Sequence, residues 1–233
     1  METQSEISTK TIRHPGPPLW LPAIMFAITF NTGLFFVTSF GGAPYFPGPW
    51  ETTAVIQKFF LLRADAVVLC AFFQFGSAIP LGLFTVCAVS QLRFLGAKVA
   101  GTYIALLGGI LISMNIIASA MIMWAAAHPG IAQDAPLINA LYFLQFGFGG
   151  VGFSVPMGLL IAGVSIPSLL MKLLPKWLCI FGIILAVFGV FSWFDLVFPQ
   201  ALFLIPLTRF PGFIWFICVG FMLPNRRRDA VAD

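Results

Sequence analysis

The chain has 233 residues, of which 60% are hydrophobic, 15% aromatic and only 9% charged, with a mean hydropathy of +1.00 and a formal net charge of +4. A soluble chain carries about 25% charged residues, and here the apolar residues collect in separate long runs. This excludes a long soluble domain and predicts an all-α polytopic bundle in contact with a lipid bilayer. The basic residues come in twos and threes between apolar runs and form no stripe, so the positive charge does not point to nucleic acid.

Residues 1–18 form a polar arm with Glu2, Glu6, Lys10 and Arg13, and residues 224–233 form a basic tail. Between them, residues 19–223 hold six apolar stretches near the ~20 residues that a helix needs to cross the hydrocarbon. The first, Leu19 to Phe40, exceeds the ~7–15 residues of a signal-peptide core. It reads as a retained transmembrane helix, with cleavage near Ser39 to Gly42 as the alternative. A turn-rich loop, GGAPYFPGP (Gly41 to Pro49), follows. From Trp50 to Leu62, Trp50, Val55, Ile56, Phe59 and Phe60 interleave with Glu51, Gln57 and Lys58. That pattern fits either an interfacial helix in the first outer loop or the extended start of the second span.

The remaining spans run from Ala64 to Ser90, Val99 to Ala127, Leu137 to Leu170, Trp177 to Phe198 and Ala201 to Leu223. They are punctuated by HPGIAQDAP (His128 to Pro136), by Leu173 to Lys176 and by Phe198 to Gln200. The fourth stretch is too long for one straight crossing and holds Pro156 and Pro167, so it should bend or surface early. Trp20, Trp50, Trp124, Trp177 and Trp193 sit near span ends, where indole rings prefer to lie. Cys70, Cys87, Cys179 and Cys218 fall inside spans without CxxC spacing, which argues against disulfides and zinc.

Six crossings put Lys10, Arg13, Arg93, Lys98, Lys172, Lys176, Arg226, Arg227 and Arg228 on one side, nine of the 12 cations. The opposite loops keep Lys58 and Arg63, and Arg209 lies within a span. By the positive-inside rule both termini are cytoplasmic, in the inner or plasma membrane of the cell.

The second span contains FFQFG (Phe72 to Gly76) then IPLGL (Ile79 to Leu83), and the fourth contains FLQFG (Phe143 to Gly147) then VPMGL (Val155 to Leu159). The order is kept while the gap grows by five residues, so a duplicated hairpin and a low-complexity coincidence both remain open. Proline and glycine let the second, fourth and sixth spans bend at mid-membrane, and broken helices that face one another mark candidate solute sites. Small residues spaced by four, Ala105, Gly109 and Ser113 in the third span and Gly150, Ser154 and Gly158 in the fourth, make smooth helix faces. Gly109 and Ser154 lie at similar depth, so the two stripes are expected to meet in a tight antiparallel pair. The run Gly147 to Gly152 fits G-x-G-x-x-G but has neither a preceding strand nor a following acidic residue, so it is no dinucleotide fingerprint.

Arg209 is the residue to single out. It lies roughly 13 Å below the outer end of the sixth span at 1.5 Å per residue, where a lone arginine costs at least ~2.5 kcal/mol. Asp195 lies close by across a short turn, and Arg63 and Asp65 enter the second span from the same side. The four are expected to form one outer-leaflet ionic cluster. In it Arg209 either staples the last hairpin through Asp195, binds an anion or head group, or reaches lipid phosphate. Asn31, Asn115, Gln74 and Gln145 add amides that either bond helices together or line a solute path. His14 and His128 lie on opposite sides and cannot share a metal. HExxH, GxSxG and an intramembrane carboxylate pair are all missing from the sequence. No catalytic, metal or cofactor set is expected.

A basic N-terminus, a Pro/Gly-rich first outer loop, RADAV (Arg63 to Val67) opening the second span and the arginines at Arg226 give a layout that resembles small bacterial six-helix inner-membrane proteins of unknown function. The resemblance covers the whole chain in outline. It implies a bacterial inner membrane and carries across no site residue. Two functions follow: a non-enzymatic module that binds or transports a small solute or lipid head group near Arg209, or a structural or regulatory subunit that assembles with itself or a partner through its small-residue faces.

Overall fold

The structure, a computed structural model, describes residues 9–230; the ends of the expected arm and tail, residues 1–8 and 231–233, lie outside them. A chain this apolar can satisfy its peptide groups away from water only within each segment, so helices dominate. They are α1 (Trp20–Val37), α2 (Thr53–Leu62), α3 (Ala64–Phe94), α4 (Ala100–Ala126), α5 (Pro129–Gln133), α6 (Ala135–Gly149), α7 (Val151–Leu170), α8 (Lys176–Phe191) and α9 (Leu204–Met222). With α6 and α7 taken as one broken crossing, six are long and apolar enough to span a membrane. The chain is therefore a multi-pass helical membrane protein.

The crossings stand in a ring in chain order: α1 packs on α3, α3 on α4, α4 on α7, α7 on α8 and α8 on α9, and α9 closes on α1. The segments before α1 and after α9 meet on one face. There β1 (Thr9–Arg13) pairs antiparallel with β2 (Arg226–Ala230), with Arg13 opposite Arg226. The end of α3 anchors this ribbon. The Gln91 side chain donates to the carbonyls of Leu223 and Pro224, each at 2.9 Å, and His14 Nε2 lies 3.0 Å from Ser90 Oγ.

The opposite face carries α2 and α5. α2 is a separate helix, divided from α3 at Arg63, and it buries Ile56, Phe59 and Phe60 while leaving Lys58 and Leu62 exposed. Asp134 caps α6, its carboxylate accepting from Leu137 N at 3.0 Å, and satisfies one of the donors that a helix start leaves free. Of the three spans expected to bend, only the fourth is interrupted, at Gly150; α3 runs unbroken through Pro80 and α9 through Pro211.

Two apolar cores result. The larger, toward the ribbon, includes Phe26, Phe84, Phe153, Leu160, Trp215 and Phe216, all fully buried; the smaller, toward α2, is built on Ile56, Phe59, Val67, Ile138 and Tyr142. Lipid offers no hydrophobic drive between helices, so close packing holds them. At the α4–α7 contact a Cβ on Gly163 would sit 2.4 Å from Ala105 N, and one on Gly108 would sit 2.5 Å from Leu160 N. Both positions need glycine for the backbones to approach this closely.

The third and fourth spans thus touch through Gly101, Ala105 and Gly108 on one side and Pro156, Leu160 and Gly163 on the other. The expected close pair of the third and fourth spans forms, with Ala105 of its stripe against Gly163, but the two stripes do not meet each other. Gly109 faces Thr85 and Ser113 lies beside Gly82, both on α3, while Gly158 and Ser154 face α8 at Ala186 and Gly189, and Gly150 abuts Ile205 of α9. Spacing by four fixes which residues share a face but not which neighbour the face meets.

Candidate functional site

The break in the fourth crossing organises the candidate site. At Gly150 the backbone turns to φ −91°, ψ −94°, and the amide of Phe153 bonds to the Gly150 carbonyl at 3.2 Å, not to that of Gly149, its partner in a continuous helix. The Gly149 carbonyl is left for Arg209, whose Nη2 donates to it. Further along, Pro156 has no N–H to give the Gly152 carbonyl, and Asn115 of α4 supplies the missing donor through Nδ2 at 2.5 Å. One turn along α4, Ser119 Oγ donates to the Gln145 carbonyl at 3.0 Å. Three side chains from two neighbouring helices thereby occupy carbonyls around the break, as backbone at membrane depth requires.

Arg209 gives one donor to Gly149 and lies between two rings, its guanidinium carbon 4.6 Å from the centre of Phe153 and 5.6 Å from that of Phe30. Such cation–π contacts are worth about 0.5–2 kcal/mol. Its Nε is buried without a partner. Among the described residues no carboxylate lies within ion-pair distance of it.

Arg209 forms the floor of a cavity of about 380 Å³ that α1, α3, α4, α6 and α9 enclose with the Phe46 to Trp50 segment of the first loop. The loop is held over the cavity by Tyr142, whose hydroxyl donates to the Pro47 carbonyl at 2.7 Å. Thr38, Gln74, Ser119 and Gln145 join Arg209 as its polar lining. The Gln145 side chain is 2% exposed, and neither its Oε1 nor its Nε2 has a hydrogen-bond partner. Burying an amide this way costs about 1–3 kcal/mol. Gln74 and Gln145, the glutamines of the two echoed pentapeptides, therefore reach the same cavity.

The expected ionic cluster is not formed. Arg63 donates to the carbonyls of Phe36 and Gly41, both at 2.8 Å, and to Ala43 at 3.3 Å, and so clamps the end of α1 to the loop. Asp65 is exposed in the first turn of α3, where a carboxylate complements the helix dipole. Asp195 is half-buried in the 3₁₀ turn after α8. Sequence proximity suggested the Asp195–Arg209 pair, but the guanidinium turns inward to the break. Asn31 is exposed and donates to Ala27 of its own helix at 2.7 Å, so it neither joins helices nor lines the cavity.

Ser119, Phe30 and Phe153 escaped the sequence reading. Ser119 could have been found from its place one turn beyond Asn115, on the same face of α4. The Gly147 to Gly152 run, dismissed as a nucleotide motif, is the helix break itself. Among the described residues no three His, Cys, Asp or Glu side chains gather as a metal site. No known family, curated protein or solved structure matches the chain.

Proposed function

We propose that this membrane protein is a non-enzymatic binding module of a bacterial inner membrane, with both termini cytoplasmic. It takes a small solute or lipid head group from the outer side into the cavity floored by Arg209. One observation carries the reading: a guanidinium, flanked by rings and free of any carboxylate partner among the described residues, lines a cavity large enough for a ligand. Ligand sites span ~300–1,000 Å³. A half-buried arginine at membrane depth without a counterion is costly, and an anion entering from outside reduces that cost. The packed α7 core lies on the ribbon side of the cavity, and with the ribbon side read as cytoplasmic the cavity suits a receptor or an outward-facing carrier.

The assembly reading loses its surface. The small residues that would have served a partner, Ala105, Gly109 and Gly158 among them, are already used between helices of the same chain.

The test is ligand-induced stabilisation of the purified chain in neutral-lipid nanodiscs, with acetate, phosphate and octanoate as probe anions and octylamine as the cationic control. At least one anion should raise Tm in the wild type and not in Arg209→Gln, whose fold is checked by circular dichroism, while Arg209→Lys keeps part of the response. Failure of every anion, or an equal response from a folded Arg209→Gln, would sink the proposal.

A further inference from the structure

The lining of the Arg209 cavity also constrains what kind of anion fits. Its formal charge is a single positive one: Arg209 is the one cation among the lining residues, and no Asp, Glu, Lys or His joins it. A head of charge −1 leaves the site neutral. A dianion or a cation would leave an uncompensated charge in a poorly solvated space.

Apart from Thr38 and the Trp50 indole beside the loop, the polar side chains of the lining lie within the helices, away from their loop ends. Gln145, with both amide atoms buried and unpartnered, and Gln74, buried with no hydrogen bond from its side chain among the described residues, stand with Arg209 at the floor. Both amides offer N–H donors to the oxygens of a carboxylate or phosphodiester, whose ionised form makes such bonds stronger. Nearer the helix ends that carry the first loop, the lining includes Leu34, Val37, Met123 and Ile205, with Trp50 of the loop beside them. A bare inorganic anion would leave that apolar wall wet, whereas an alkyl chain would cover it.

We infer that the cavity takes an amphipathic monoanion, a singly charged carboxylate or phosphodiester head bound by Arg209, Gln145 and Gln74, with an apolar tail along the wall toward the first loop. The inference rests on the reading of this cavity as a ligand site and narrows it to one chemical class. Two sources supply that class: a free amphiphile from the outer side, or an anionic phospholipid of the surrounding leaflet.

The experiment is equilibrium binding of radiolabelled octanoate to the full chain in phosphatidylcholine nanodiscs. The competitors keep the tail and change the head (1-octanol, octylamine), keep the head and shorten the tail (acetate), or double the charge (octanedioate). Octanoate should bind saturably. Each competitor should be at least about tenfold weaker than unlabelled octanoate, the loss expected when one charge-assisted contact or most of the apolar contact is removed. Gln145→Leu should weaken octanoate several-fold while the protein stays folded, because no protein group depends on that amide; this variant keeps the test decisive if Arg209→Gln does not fold. Equal competition by octylamine or octanol would overturn the inference by showing an apolar pocket indifferent to charge. Equal competition by acetate would overturn the amphiphile class while leaving an Arg209 anion site standing, and failure of every anion would remove both. Including phosphatidylglycerol in the nanodisc separates the sources: loss of octanoate binding assigns the natural occupant to the bilayer, and unchanged binding assigns it to a free amphiphile.

Discussion

The fourth crossing is two different objects on either side of Gly150. In α7, toward the ribbon, 13 of the 20 residues are buried, glycines allow backbone to touch backbone, and the helix packs against α4, α8, α9 and part of α3. In α6, toward the opposite face, only Ile138, Tyr142 and Gln145 are buried, and the helix borders a cavity. Polar groups are treated differently too. At the upper end of α7, Asn115 exists to fill the carbonyl that Pro156 orphans, while beside α6 the Gln145 amide is buried and filled by nothing. The first half is optimised for packing. The second carries an unmet hydrogen-bonding demand that a ligand can meet.

Four substitutions test that contrast. The largest effect is expected at Gly163→Val, which forces side-chain atoms into the α4 backbone. Overpacking of this kind costs about 1–3 kcal/mol or more, and a loss of the folded monomer or a steep fall in Tm in detergent should follow; an unchanged Tm would mean that the two backbones are farther apart than described. Next comes Asn115→Leu, which leaves the Gly152 carbonyl bare and should destabilise by about 1–2 kcal/mol, read by reversible unfolding in mixed micelles. Gln145→Leu makes a similar chemical change with the opposite sign. Without ligand it should leave stability unchanged or raise it by up to about 1 kcal/mol, because it removes a buried amide that nothing satisfies. If both amide replacements destabilise equally, the contrast between the halves collapses. The smallest effect belongs to Asp195→Asn, which should move stability by less than about 0.5 kcal/mol; a loss matching that of Arg209→Gln, with strong coupling in a double-mutant cycle, would restore the hairpin staple.

The six crossings were legible because composition and run length decide them, and the even count agreed with where the cations lie. The identity of Arg209 as the anomaly was legible as well, since a lone arginine in an apolar helix is costly wherever it points. Its partners were not legible. Asp195 was near in sequence, but the helix faces on which two residues sit depend on how each helix is rotated in the bundle, and Arg209 turned to a carbonyl that becomes free only because the neighbouring crossing breaks. The same uncertainty misplaced the small-residue stripes. Gly108 and Gly109 differ by about 100° around the helix, enough for one to face α7 and the other α3. Likewise the glycine run at Gly147 to Gly152 was visible but was not read as a break, since the prolines nearby drew the expected bend to themselves.

The closure of the ring by α9 against α1 has a consequence for how the molecule is made. Phe26 of α1 packs edge-on against Phe213 and Phe216 of α9, with ring centres 5.3 and 5.7 Å apart, yet α1 leaves the ribosome long before α9. Until α9 follows, α1 can pack on α3, but the flank that α9 will cover has no partner from that helix. The cavity lacks its cation until α9 brings Arg209 to the break. A chain halted before α9 is inserted would therefore lack the Arg209 contact that fills the Gly149 carbonyl, and the flank of α1 that α9 covers would still face lipid.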